Sequence, residues 1–297
     1  MTMPAAEKRW RAGQGAMTGG PVPAGPAEAR VPRSEGCLRV AFKRRGDATV
    51  LDSLFQSGCL KARLLRSGAG TEAEAVLLNT AGGLTGGDRL AQAFAWGEGA
   101  RAVVTTQACE KIYRAADGVA RVTTTLDVAP GAVAEWLPQE TIIYDRAGLD
   151  RDLAVRLGVG AVFTGVEAMV LGRTAMGEAV RRGDIRDGWR LWRGGRLVYA
   201  DALRLKGDIA CLLARAPATQ GAIAFASVLH AGPAAETARD AVRDLLDDNS
   251  CAAAASAWNG LLAVRFVAHD NRSLRRGLVA VLNGLRAGRA MPRVWQC

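Results

Sequence analysis

Period-two alternation restricts this chain more than any other feature. In VTTTLDV, Val122, Thr124, Leu126 and Val128 share one face and Thr123, Thr125 and Asp127 the other. In LAVRLGV, Leu153, Val155, Leu157 and Val159 line up in the same way. Successive side chains of a strand point to opposite faces, and the dense β-branched residues here suit a pleated, half-buried surface. RAVVTTQA reads as a further strand. WRLWRGGRLVYA reads as a hairpin closed by Gly194-Gly195, because a two-residue turn needs positive φ at both positions. Turn signals recur from Gly46 to Gly207, which predicts a mainly β body of stacked sheets. Hydrophobic residues make up 49% of the 297, enough for a substantial core.

Helical spacing appears late. From Glu236 to Leu246, Ala238, Ala241, Val242 and Leu245 follow an i, i+3, i+4, i+7 stripe. From Ser273 to Arg286, Leu274, Leu278, Val281, Leu282 and Leu285 do the same. Ser273 or Asn271 is the expected N-cap of the second helix, and Gly288 the expected glycine past its end. LLAVRFVA, between them, reads as a strand. No internal repeat of fixed period is visible.

Residues 1–36 are rich in Pro, Gly, Ala and Arg with no apolar h-region. They read as a flexible tail before a single domain at 37–297, and the expected compartment is the cytoplasm. No apolar run approaches the ~18 residues of a membrane span. Six cysteines form no CxxC pair and are expected as free thiols. The formal charge of +10 suits an acidic partner, but the arginines are scattered without interleaved aromatics, so nucleic acid is not the expected ligand.

The segment LLNTAGGLTGGDRL places four glycines within six residues. Gly82 and Gly87 have P-loop separation, but Asp88 and Arg89 stand where Lys and Ser/Thr are needed, and a carboxylate there repels phosphate. A dinucleotide fingerprint fails at Leu84 and Thr85. The loop therefore reads as a tight turn between strands, in which Asp88 accepts backbone N–H bonds.

Downstream stand TTQACEKIYRA, EWLPQETIIYDRA and LGRTAMGE. The order GGD, TTQ-x-x-x-K-x-Y, WLPQE-T-I and GR-x-A-x-GE resembles the UreD (UreH) family of urease accessory proteins. The resemblance runs from about Arg39 to the C-terminal PRVWQC. It departs at QSGCLKARL, where many members carry a Q-G-P-L type segment, and the tail has no counterpart. It implies a β-rich body, no catalysis, and no tightly bound cofactor. It also implies a scaffold that, with UreF and the GTPase UreG, loads nickel into the urease structural subunits. Nickel in transit would follow a water-filled passage.

Ni(II) accepts imidazole, carboxylate and thiolate ligands. His230 and His269 lie far apart in sequence and read as structural or surface residues. The candidate path residues are Glu140, Glu178 and Asp145, with Glu167 a further carboxylate. For Glu140 and Glu178, the alternative is an ion pair with Arg173 or Arg146. Gly82, Gly83, Gly87, Asp88, Gln107, Lys111, Tyr113, Gly172 and Arg173 are motif residues with partner-facing or structural roles. Gln107, Lys111 and Tyr113, with Cys109, are expected on one face of a single extended strand, as a buried polar network or a partner surface. Cys109 is a candidate soft ligand, and Trp136 and Leu137 read as core. Two competing functions remain: a hydrolase using Glu140 with Glu178 or Asp145, and a basic nucleic-acid-binding module.

Overall fold

A computed structural model describes residues 32–65, 72–173, 176–215, 218–247 and 251–296. The expected tail falls almost wholly outside them, and the first strand begins at Glu35. Along the chain come β1 (Glu35–Arg45), β2 (Ala48–Gly58), β3 (Leu60–Leu65), β4 (Ala73–Asn79), β5 (Arg89–Trp96), β6 (Arg101–Thr106), β7 (Glu110–Ile112), β8 (Ala120–Val128) and β9 (Val133–Leu137). Then follow β10 (Thr141–Ile143), β11 (Ala147–Leu157), β12 (Val162–Leu171), β13 (Arg182–Arg193), β14 (Arg196–Asp208), α1 (Ile209–Ala214), β15 (Ala224–Ala231), α2 (Ala235–Asp247), β16 (Ala252–Trp258), β17 (Leu261–Ala268) and α3 (Asn271–Leu285).

Two mixed sheets stack. One has seven strands in the order β14-β13-β11-β8-β5-β1-β2. The other has ten, built on β16-β17-β15-β12-β9-β6-β4-β3, with β10 joining β12 to β7. From β4 to β13 the chain alternates between sheets, so that β5, β8, β11 and β13 are parallel neighbours in one and β4, β6, β9 and β12 in the other. Parallel neighbours need a crossover, commonly a helix. Here the crossover is a strand of the facing sheet, so the body coils like a solenoid. The turns of the coil differ in length, which hides the repeat from the sequence.

The layers explain the burial patterns. The seven-stranded sheet faces the other sheet on one side and solvent on the other, so β8 alternates cleanly between buried and exposed. The ten-stranded sheet is covered on its second face by α2 and α3, and β12 is buried almost throughout. Two cores result. One lies between the sheets, around Phe42, Phe94, Trp96 and Trp136. The other lies under the helices, around Val166, Phe266, Leu278 and Val281.

Several expectations hold and several shift. The hairpin turns at Gly194 and Gly195 with φ of 57° and 78°, and LLAVRFVA is β17. Leu153, Val155 and Leu157 are buried, but β11 ends at Leu157 and Val159 is 84% exposed in the following turn. The α2 stripe is rotated: Ala235, Val242 and Leu246 are buried, while Ala241 and Leu245 are exposed. Asp270, rather than Ser273 or Asn271, caps α3, accepting from the Ser273 N–H at 2.8 Å. Ala287 adopts positive φ beyond that helix, just before Gly288. The short helix α1 was not expected; Asp208 caps it by accepting from the Cys211 N–H.

TTQACEKIY is not one strand. β6 stops at Thr106, and the chain bends so that β7 pairs with β10 and, through Leu84, with the glycine loop. Gln107, Lys111 and Tyr113 are exposed rather than joined in a buried network.

Candidate functional site

The motif residues gather toward one end of the sandwich. The glycine loop joins β4 to β5 and lies along β7, with the Leu84 N–H donating to Lys111 O and the Tyr113 N–H to Leu84 O, both at 2.7 Å. Gly83 has φ of 146°, and a Cβ there would strike the Tyr113 ring and the Lys111 carbonyl, so only glycine allows this approach. Asp88, 3% exposed, fixes the loop by accepting from the N–H groups of Ser34 and Thr85 at 2.8 Å each. Nearby, Tyr113 and Tyr144 meet edge to face at 5.0 Å, and the Arg173 guanidinium stacks 4.5 Å over Tyr144. Gly172 turns at positive φ, and Arg173 binds Glu178 at 2.7 Å. Asp145 accepts from the backbone N–H groups of Arg181 and Arg182 at 2.7 and 2.9 Å. Desolvation pushes its carboxyl up, but those donors outweigh it and hold it below the ordinary aspartate value.

Glu140 is placed differently. It is 0% exposed and accepts from Arg275 Nη1 at 2.9 Å, neither Arg173 nor Arg146 being its partner. The same arginine reaches Gln139 Oε1 and Trp295 O and stacks 4.8 Å over the Trp295 ring. Trp295 Nε1 donates to Leu137 O, and Gln139 Nε2 to Val294 O. The WLPQE segment therefore docks α3 and the C-terminal RVW turn onto the ten-stranded sheet. Cys109 donates weakly to Glu140 Oε2 at 3.5 Å. Burial, and then the Glu140 charge, push its thiol up to about 11, so at neutral pH it is not a thiolate.

Between the sheets lie three cavities that share walls. One of about 380 Å³ opens beside the glycine loop, lined by Asn79, Gly82, Gln107, Cys109, Glu110 and Lys111. One of about 60 Å³ shares Gln92, Thr106 and Glu110 with it and is also bounded by Thr124, Trp136, Arg151 and Glu167. A third, of about 270 Å³, shares Glu167 with the second and is lined by Asp187, Asp201, Ser227 and Arg265.

The partition between the second and third cavities is a charged triad. Parallel register sets Arg151 of β11 beside Asp187 of β13, and Glu167 of β12 faces them from the other sheet. Arg151 donates to both Asp187 oxygens at 2.9 and 2.7 Å and to Thr141 Oγ1 at 2.9 Å, and its Nη1 forms an ion pair with Glu167 Oε2 at 2.8 Å. Trp136 Nε1 donates to the other Glu167 oxygen at 2.9 Å. Burial works against the charge on Arg151, but Asp187 and Glu167 outweigh it, and its pKa is raised. Desolvation pushes Glu167 up to about 7 against the pull of Arg151. Glu110 is likewise raised by burial, against two hydrogen bonds from the Asn79 amide.

Carboxylates thus meet this interior singly or in a pair. Among the described residues no group of three or more His, Cys, Asp or Glu side chains converges as a metal cage. His230 is buried with Nδ1 2.9 Å from Thr164 Oγ1, and His269 is exposed.

Sequence reasoning named Glu167 but missed Arg151, Asp187 and Glu110. A signal was present. Arg151 continues the Leu153-Val155-Leu157 face backwards, Asp187 falls between Ile185 and Trp189, and Glu167 interrupts an apolar run. A charge at an inward position of an alternating strand is rarely tolerated unless paired. A second buried network was also missed, in which Arg286 and Arg289 bind Glu135 and Glu72.

Residues 34–296 match the model of the family described as UreD urease accessory protein. A protein of Rhizobium leguminosarum bv. viciae named urease accessory protein UreD is 47% identical over 269 residues, covering 91% of this chain and 97% of that protein. One of the same name from Methylobacterium sp. (strain 4-46) is 48% identical over 288 residues, covering 94% of this chain and all of that protein. No helix among the described residues is long and apolar enough to cross a membrane.

Proposed function

The chain belongs to the UreD family of urease accessory proteins, with a role in urease maturation, and from that premise we propose that it is a non-catalytic scaffold that carries nickel toward apo-urease. It acts with UreF and UreG, receives the ion as GTP is hydrolysed by UreG, and passes it through the interior between the sheets. The reading is carried by one observation: three cavities in series, with Glu110 and Glu167 at the two shared walls. Oxygen donors met one or two at a time bind Ni(II) weakly, which transit requires and storage does not.

Glu140 and Glu178, expected at the start as path residues, are held by Arg275 and Arg173, and Asp145 by backbone N–H groups. In this proposal Glu140 and Asp145 brace the body and Glu178 sits in a solvent-screened surface pair, while Glu110, Glu167 and Asp187 border the path. The Arg275 pair speaks against the hydrolase reading, because that reading requires Glu140, which is fully buried and held by Arg275.

Gln92 lines both of the first two cavities, which makes it the test position. With Gln92→Trp the chain should still co-purify with UreF, UreG and apo-urease, while nickel content and urease activity after nickel and GTP addition fall sharply. Full activation by an assembled Gln92→Trp complex would sink the passage.

A further inference from the structure

The triad poses a physical problem for a cation path. Arg151 carries a fixed positive charge at the partition an incoming divalent cation must cross, and like charges repel over such distances. The arginine is not peripheral: its side chain is only 12% exposed, with 6% for Glu167 and 9% for Asp187. Its hydrogen bonds engage both Asp187 oxygens, whereas Glu167 is held through a single ion-pair contact at Oε2, its other oxygen accepting from Trp136. The clamp is therefore asymmetric. The Asp187 side is bidentate and set by strand register, whereas the Glu167 side is one ion-pair contact across the gap between sheets.

We propose that Arg151 is a built-in stand-in for the cargo cation: its guanidinium occupies the Glu167–Asp187 pair between transits, and the ion crosses by displacing it from Glu167 alone. The inference rests on the passage reading above. It answers two needs. Two buried carboxylates facing each other without a counter-charge would be unstable, and Arg151 neutralises one of them while no ion is present. Because Arg151 stays tethered to Asp187 during a crossing, it competes for Glu167 throughout. The oxygens never close around the ion, and its residence is short. Removing the arginine should turn a point of transit into a trap.

The test uses the full chain co-purified with UreF, with Ni(II) alone as the probe in equilibrium dialysis, beside urease activation in the complete assembly. Arg151→Gln should bind Ni(II) roughly tenfold tighter or more, as loss of a like charge a few ångströms away implies, and should release less of it to apo-urease. Arg151→Lys keeps the charge and should bind as weakly as the wild type. A folded Arg151→Gln chain that binds no tighter, or an Arg151→Lys chain that binds as tightly as Arg151→Gln, would overturn the proposal. Should Arg151→Gln fail to fold, Glu167→Gln decides, since it leaves the Arg151–Asp187 pair intact. It should assemble and activate urease several times more slowly, and full activation would overturn the proposal. Failure of the passage itself reads out separately: Gln92→Trp would then activate normally, whatever Arg151→Gln binds.

Discussion

Two of the arginine–carboxylate sites in this molecule, Arg275–Glu140 and Arg151–Glu167–Asp187, differ in what surrounds them. Arg275–Glu140 is closed. The carboxylate is 0% exposed, and the arginine is shared among Gln139, the Trp295 carbonyl and the Trp295 ring. Arg151–Glu167–Asp187 has the same kind of bonds but forms the wall between two cavities. The Glu140 carboxylate itself borders none of the three cavities, which makes the first a clamp. Space on two sides gives the second somewhere for an ion to be. Pairing alone therefore does not separate a structural carboxylate from one on a path; the emptiness beside it does.

The largest expected effect falls on the closed site. Glu140→Ala leaves the partly buried Arg275 without its counter-charge and loosens the docking of α3, so unfolding should show a loss of about 3 kcal/mol or more. A loss much smaller than this in urea denaturation would mean the clamp is not an anchor, and the contrast would fail.

Next comes a buried group with no ionic partner. Burial, with Arg289 nearby, lowers His230 from 6.5 to about 4. The unfolded chain then binds the extra proton first, so stability is present above pH 6.5 and is lost as pH falls toward 4, by up to about 3 kcal/mol. His230→Gln should flatten this acid limb, as followed by denaturation at stepped pH.

Glu167 should show the opposite slope. Its carboxyl is raised from 4.5 to about 7, so the folded chain holds the proton longer, and stability declines as pH rises through that window. Glu167→Gln should remove the decline and gain on the wild type toward pH 8, whereas Glu140→Ala should lose at every pH. Parallel pH profiles for the two variants would erase the distinction between them.

The smallest effect is expected at the surface. Glu178 pairs with Arg173, which is 45% exposed, and water screens such a pair. Glu178→Ala should leave the unfolding midpoint within error and urease activation unchanged. Lost activation would return Glu178 to the path.

Much of the fold was legible in the amino-acid order. VTTTLDV announced β8 and its buried face, Gly194-Gly195 announced a hairpin, and the leucine spacing announced α3. The coil was not legible, because alternation says which face of a strand is buried and not which strand lies beside it. Asp88 was read as the brace of the glycine loop because one partner, the Thr85 N–H, lies three residues away in the loop; the other, the Ser34 N–H 54 residues away, was not legible. Glu140 was seen as a motif carboxylate, but its partner Arg275 lies 135 residues away, beyond any local pattern.

By itself the sequence determined strand faces, turn positions, late helices and the family, since each rests on contacts between near neighbours or on ordered motifs. Only the tertiary structure decided which charges are sealed and which border space. Arg151 and Asp187 lie 36 residues apart and meet through parallel register, and Glu167 reaches them from the opposite sheet. Cavities exist where packing between layers is incomplete, and that property belongs to the assembled sheets rather than to any segment of the chain.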